Sequence, residues 1–117
     1  MLSQFAAVAV SNPALRGITA EANLLARIGE RGNGPYFYLY LAVDSGVIRK
    51  ASFESNGCQT SITVGSVLCA LLSGRTLEAA SLVSIEDLRL LVGDVPPAKG
   101  DVLDRAMLAL TSALTQR

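Results

Sequence analysis

The sequence predicts an α+β domain in which helices cover a small antiparallel β-sheet, made of a hairpin with room for a short third strand. Three observations carry this. Residues 36–43 alternate with period two, Asp44-Ser45-Gly46 offers a turn before a returning strand over 47–54, and after Cys58 the apolar spacing turns helical. With 117 residues, 50% of them hydrophobic, the chain can fill one core without disulfide staples, and a single domain over 1–117 is expected.

In chain order, residues 1–10 predict a short helix with Leu2, Phe5, Ala6 and Ala9 on one face. Pro13 biases Asn12 away from helix, so a break follows over 11–17. Between Thr19 and Gly29, Ala22, Leu24, Leu25 and Ile28 give a moderate apolar pattern. Gly29, Gly32, Gly34 and Pro35 then mark a loop. In the strand that follows, Phe37, Leu39, Leu41 and Val43 share one face and Tyr36, Tyr38 and Tyr40 the other, an amphipathic face suited to cover by a helix or a partner. Val47, Ala51 and Phe53 continue the core face in the returning strand. After Asn56-Gly57-Cys58, Thr60 or Ser61 is the expected cap of a helix carrying Ile62, Leu68, Leu71 and Leu72 as far as Gly74. Thr76 is expected to cap a short helix through Leu82, and Ser84-Ile85-Glu86-Asp87 a second through Leu91, before Val95-Pro96-Pro97 interrupts. The last helix places Leu103, Ala106, Met107, Leu110, Ala113 and Leu114 on one stripe, the pattern of core packing.

Composition excludes several chemistries. The chain has no histidine, so no triad or dyad with an imidazole base, no HExxH protease site and no His-containing zinc site can be built within it. Ten Lys plus Arg balance ten Asp plus Glu, and only 17% of residues are charged. Without a basic stripe, neither nucleic acid nor a membrane surface is an expected partner. The start lacks a signal-peptide pattern and no apolar run approaches the roughly 18–20 residues of a membrane span. A soluble, cytoplasmic protein with reduced thiols is therefore expected. Cys58 and Cys69, on one helix, would lie about 16 Å apart, beyond the roughly 7 Å that a disulfide can bridge.

Cys58 is the reactive candidate, because a thiol at a strand-to-helix junction lies near unpaired N–H groups that favour its thiolate. The competing reading is a small residue packed beside Gly57. Cys69, on the apolar helix, reads as packing. Gly32-Asn33-Gly34 lacks the phosphate-loop pattern and precedes a strand, which makes it a connector. Asp101 and Asp104, three apart, could pair as carboxylates, although the helix dipole alone attracts acidic residues there. No general base, nucleophile pair or cofactor loop is found, and a non-catalytic protein is expected.

Taken together, Asn12-Pro13 with Gly17, the strand pair joined at Asp44-Ser45-Gly46-Val47-Ile48, Gly57-Cys58 with Ser61-Ile62, Gly74-Arg75-Thr76-Leu77-Glu78-Ala79 and Val95-Pro96-Pro97-Ala98-Lys99 form an ordered set. In that order and spacing the chain resembles the scaffold family of iron-sulfur cluster assembly, the IscU-like proteins and the NifU N-terminal domain. In that family three cysteines, an Asp two residues after the first and a His before the third surround a cluster or zinc ion. The resemblance makes Cys58 the middle cysteine. The Cys-Gly-Asp segment reads Asn33-Gly34-Pro35 here, and His-Cys reads Asp101-Val102. Asn33, Pro35 and Val102 thus stand at lost ligand positions, and Asp101 stands at the His position as a possible hard oxygen donor.

The resemblance implies an α+β fold of the IscU and NifU N-terminal type and a degenerate scaffold-like protein that binds partners or handles sulfur without being a full cluster carrier. An iron-sulfur cluster or zinc is what the family holds, but one thiolate and one carboxylate are not expected to hold either tightly. The implied partners are a cysteine desulfurase, delivering sulfur to Cys58, and an Hsp70-type chaperone recognising Val95, Pro96, Pro97, Ala98 and Lys99. A homodimer that shares a cluster between two Cys58 thiolates is a further arrangement. The alternative is a fold reused as a small interaction or dimeric module with no metal or sulfur chemistry.

Overall fold

The alternating segment becomes β2 (Phe37–Asp44), the centre of a three-stranded antiparallel sheet in the computed structural model, which describes residues 3–116. β3 (Val47–Ser55) returns beside it through Ser45 and Gly46, both with positive φ, at 53° and 75°. Two such residues in succession match the twist that a two-residue hairpin turn needs. The third strand, β1 (Leu24–Ile28), comes from the segment of moderate apolar pattern, in which Leu24 and Ala26 are buried and Arg27 is exposed. It pairs with β2 from Leu24 opposite Leu41 to Ile28 opposite Phe37.

One expected core position moves. Leu41 pairs with Ala51 and Ala42 with Lys50, but Val43 pairs with Ile48, leaving Arg49 as an extra residue in β3. A bulge of this kind inverts the in-out parity beyond it. Ile48 is therefore fully buried, while Val47, the expected core residue, and Val43 are half-buried.

The helices cover the buried face. α1 (Gln4–Val10) is capped by Ser3, whose hydroxyl accepts from the Ala6 N–H, and it buries Ala6 and Ala9; Phe5 stays exposed, and Leu2 lies outside the described residues. A short 3-10 turn at Pro13–Leu15, capped by Asn12, fills the break. α2 (Gln59–Leu72) starts earlier than the expected Thr60 or Ser61 cap, because the Cys58 carbonyl already accepts from the Ile62 N–H at 3.1 Å; Cys58 is the N-cap residue. Mid-helix, Gly65 allows close contact with the sheet: a Cβ there would lie 2.3 Å from the Phe53 ring.

α3 (Leu77–Ser81) is capped by Thr76, and α4 (Ile85–Val92) by a reciprocal pair in which Ser84 and Asp87 each accept the other's N–H. α5 (Gly100–Leu114) buries the expected stripe apart from Met107, which is half-buried, and adds Val102 and Ala109. α2 packs on β3, α5 packs on β1 and β2, and α1 and α4 pack against α2.

Both sheet edges are partly covered. The Gln116 side chain accepts from the Leu25 N–H at 3.3 Å and donates to the Leu25 carbonyl at 2.6 Å, standing in for a strand neighbour. Along β3, the Gly17 N–H donates to the Phe53 carbonyl, the Gly74 N–H to the Ile48 carbonyl, and the Ile48 N–H to the Arg75 carbonyl. On the tyrosine face, Thr19 and Ser52 are buried with their hydroxyls 2.5 Å apart, and Ser52 is the direct neighbour of Tyr40.

Candidate functional site

Cys58 sits where β3 hands over to α2, half-buried, with extended backbone. Several groups converge on its sulfur. The Ser61 N–H is the largest influence lowering its pKa; partial burial opposes it, and the Ser61 hydroxyl, 3.6 Å from Sγ, the Thr60 N–H and the Lys99 ammonium add to it. The net direction is toward the thiolate, the form that acts as nucleophile. Lys99, whose charge is the smallest of these influences, closes the 3-10 turn Pro97–Lys99 that leads into α5. Cys69, also a free thiol, is completely buried in the same helix, and burial pushes its pKa up.

The other expected positions make no hydrogen bond to this thiol among the described residues. Asp101 is exposed in the first turn of α5, where Arg105, donating at 2.9 Å, holds its carboxyl below the usual range. Val102 lies in the apolar core, 3% exposed. Asn33 and Pro35 are exposed in the β1–β2 loop. Its geometry depends on Gly29 at φ 79°, where a Cβ would come within 2.5 Å of the Pro35 carbonyl oxygen. Among the described residues, no hydrogen bond or ion pair joins Asn33 or Asp101 to Cys58. Val95 packs against the core, whereas Pro96, Pro97, Ala98 and Lys99 are exposed.

On the tyrosine face that the sequence marks, a second cluster forms around Arg31 and Glu54, two residues not singled out there. Arg31 pairs with Glu54, and its guanidinium sits 5.6 Å from the Tyr36 ring and 5.5 Å from the Tyr38 ring. The Tyr38 hydroxyl accepts from the Arg31 N–H, and the Tyr40 hydroxyl donates to Glu54 at 2.6 Å. Burial, then the bond to Glu54, pushes the Tyr40 phenol up to about 12. The available signal was Arg27 and Arg31 shortly before three alternating tyrosines, since guanidinium groups stack on such rings.

No described helix is long and apolar enough to cross a membrane. Residues 5–116 match the family described as the NifU-like N terminal domain. A nitrogen fixation protein NifU from Cereibacter sphaeroides is 31% identical over 103 residues, covering 88% of this chain and 42% of that protein. An iron-sulfur cluster assembly scaffold protein IscU from Aquifex aeolicus is 27% identical over 90 residues, covering 75% of this chain and 57% of that one. This chain therefore spans about half the length of these curated relatives. Among solved structures, the N-terminal part of a nitrogen-fixing NifU-like protein from Brucella abortus superposes with a TM-score of 0.59 at 14% identity, covering 98% of this chain and 95% of that one. With a helix-covered, three-stranded antiparallel sheet and a family match over nearly its whole length, the chain belongs to the NifU-like N-terminal domain family.

Proposed function

We propose that this chain serves iron-sulfur cluster assembly as a non-catalytic, sulfur-accepting and partner-binding domain, with Cys58 as the acceptor, and that it does not hold a complete cluster of its own. The family and its scaffold relatives supply the setting. The observation that carries the reading is Cys58, a half-buried thiol drawn toward its thiolate by helix N–H groups and Lys99.

The donor set does not fit a resident cluster or zinc ion, which need several thiolates or four soft and borderline ligands. Asp101 is committed to Arg105, and Val102 fills the core with an apolar side chain. Among the described residues, no three of His, Cys, Asp and Glu gather closely enough to hold a metal ion. Sulfur acceptance needs only one thiolate. Cys58 attacks the outer sulfur of a donor persulfide, R–S–SH; the donor S–S bond breaks, R–S⁻ leaves, and Cys58–S–SH forms without any outside oxidant. A cysteine desulfurase fits as that donor, and the exposed Pro96 to Lys99 surface fits an Hsp70-type chaperone.

The test has two arms. Incubation with a desulfurase and cysteine should add one sulfur to the Cys58 peptide in mass spectrometry, and Cys58→Ala should abolish it. Anaerobic reconstitution with iron and sulfide should leave no iron on the desalted protein. A cluster retained by the wild type and lost in Cys58→Ala would overturn the incomplete-carrier reading, and a folded protein whose Cys58 takes no sulfur would overturn the acceptor role.

A further inference from the structure

We infer that Asn33 is a site of spontaneous covalent modification, its carboxamide converted to aspartate or isoaspartate through attack by the Gly34 nitrogen, and that of the four asparagines in the chain it alone is placed to react in the folded protein. The chemistry is local and needs only water. Hydroxide takes the proton from the Gly34 N–H, the nitrogen attacks Asn33 Cγ, a C–N bond closes a succinimide ring, and the C–NH2 bond breaks as ammonia leaves. Water then opens the ring at either carbonyl, so nothing is oxidised or reduced. A following glycine favours the attack, because it has no Cβ to crowd the nitrogen.

Two of the four asparagines are disqualified by what stands beside them. Asn12 precedes Pro13, which has no N–H to become the nucleophile. Asn23 uses both ends of its carboxamide on Val43, donating to the carbonyl at 2.8 Å and accepting from the N–H at 2.9 Å, and Leu24 follows it. The remaining two, Asn33 and Asn56, both precede glycine. Among the described residues neither Gly34 nor Gly57 donates a backbone hydrogen bond. The difference therefore lies in the asparagines themselves.

Asn33 is exposed in the β1–β2 loop, and its side chain enters no hydrogen bond among the described residues. The loop is held near its start, where the Arg31 N–H donates to the Tyr38 hydroxyl and the Asn33 N–H donates to the Glu30 carbonyl at 3.0 Å. Its tip is open, with no atom within 4 Å of where a Cβ would stand on Gly32 or Gly34. The carboxamide is free to swing toward the Gly34 nitrogen, and water solvates the negative charge that attack places on Oδ1. Asn56 has neither freedom. It is half-buried, its carbonyl accepts from the Cys58 N–H at 2.9 Å and the Ser55 hydroxyl at 3.1 Å, and its Oδ1 is buried without a donor. Charge developing on that oxygen would go unsolvated, and the loss of one oxyanion donor slows such a step by about 10²–10³.

Each conversion adds one negative charge, so the formal net charge of 0 falls to −1. The isoaspartyl product also routes the main chain through an extra carbon, in a loop where Gly29 already fits closely against the Pro35 carbonyl.

The test incubates the full chain in mildly alkaline buffer at body temperature, folded and in urea, and maps its peptides by mass spectrometry. An isoaspartyl methyltransferase with a labelled methyl donor gives a second readout for the isoaspartyl product. In the folded chain position 33 should convert at least about ten-fold faster than position 56, whereas in urea the two should convert at comparable rates. Asn33→Gln, whose longer side chain closes a less favourable ring, should remove the acidic species that isoelectric focusing resolves from the folded chain. Equal conversion of the two positions in the folded chain overturns the assignment, as does an Asn33 that stays intact there whatever happens in urea. An acidic species that persists undiminished in Asn33→Gln overturns it too.

Discussion

Helix α2 has Cys58 as its N-cap residue and Cys69 in its interior, and the two positions treat a thiol in opposite ways. Around Gly65 and Cys69 the helix lies against the sheet, and Val64, Val67, Leu68 and Cys69 are wholly buried. At the N-terminal end the chain turns out of β3, and helix N–H groups, with a smaller influence from Lys99, outweigh partial burial at Cys58. The same thiol is thus pushed away from ionisation at one position and toward it at the other. Chemistry at this helix is decided by what faces the sulfur, since burial disfavours the charged form while N–H donors and cations favour it.

The sharpest way to break the comparison is to disturb the packed half. Gly65→Val drives a branched side chain into the Phe53 ring and should cost about 3 kcal/mol in urea unfolding, whereas Gly65→Ala combined with Phe53→Leu should recover much of the stability. A Gly65→Val variant as stable as the wild type would mean that helix and sheet are not in close contact there. Next in size, Cys69→Ser buries a hydroxyl and should cost about 2 kcal/mol, while Cys58→Ser should change stability by less than about 0.5 kcal/mol. Equal losses would erase the distinction between the two halves.

The smallest effect concerns the charge beside Cys58. Neutral iodoacetamide should modify one thiol per folded chain, with a pH midpoint below the ordinary value of 9.0. Lys99→Gln should raise that midpoint and slow labelling at neutral pH by about two-fold. The sign for stability follows: because the folded pKa is depressed, the contribution of the Cys58 thiolate is present above the unfolded value and is lost as pH falls through the folded one.

Most elements were legible because their signals are local. Alternation marked β2, and side-chain caps marked α3 and α4 through Thr76 and the Ser84–Asp87 pair. The misses share a non-local cause. β1 has a weak pattern of its own and becomes a strand by pairing with β2, and the bulge at Arg49 is visible only in the register between two strands. The fit of Gly65 to Phe53 likewise requires knowing which helix lies on which strand. At the site, Cys58 stood out by its place at a junction, and Lys99 only as part of a partner segment. Its approach to Cys58 depends on how α5 docks.

The clip between Gln116 and Leu25 has a consequence for the order of folding. It joins groups 91 positions apart, so it forms only after α5 has docked across β1 and β2. Contacts of such sequence separation form late, because the loop must close before they repay it. Until then the outer edge of β1 is open to other chains. Conditions that slow docking of α5 should therefore favour aggregation even when the finished fold is stable.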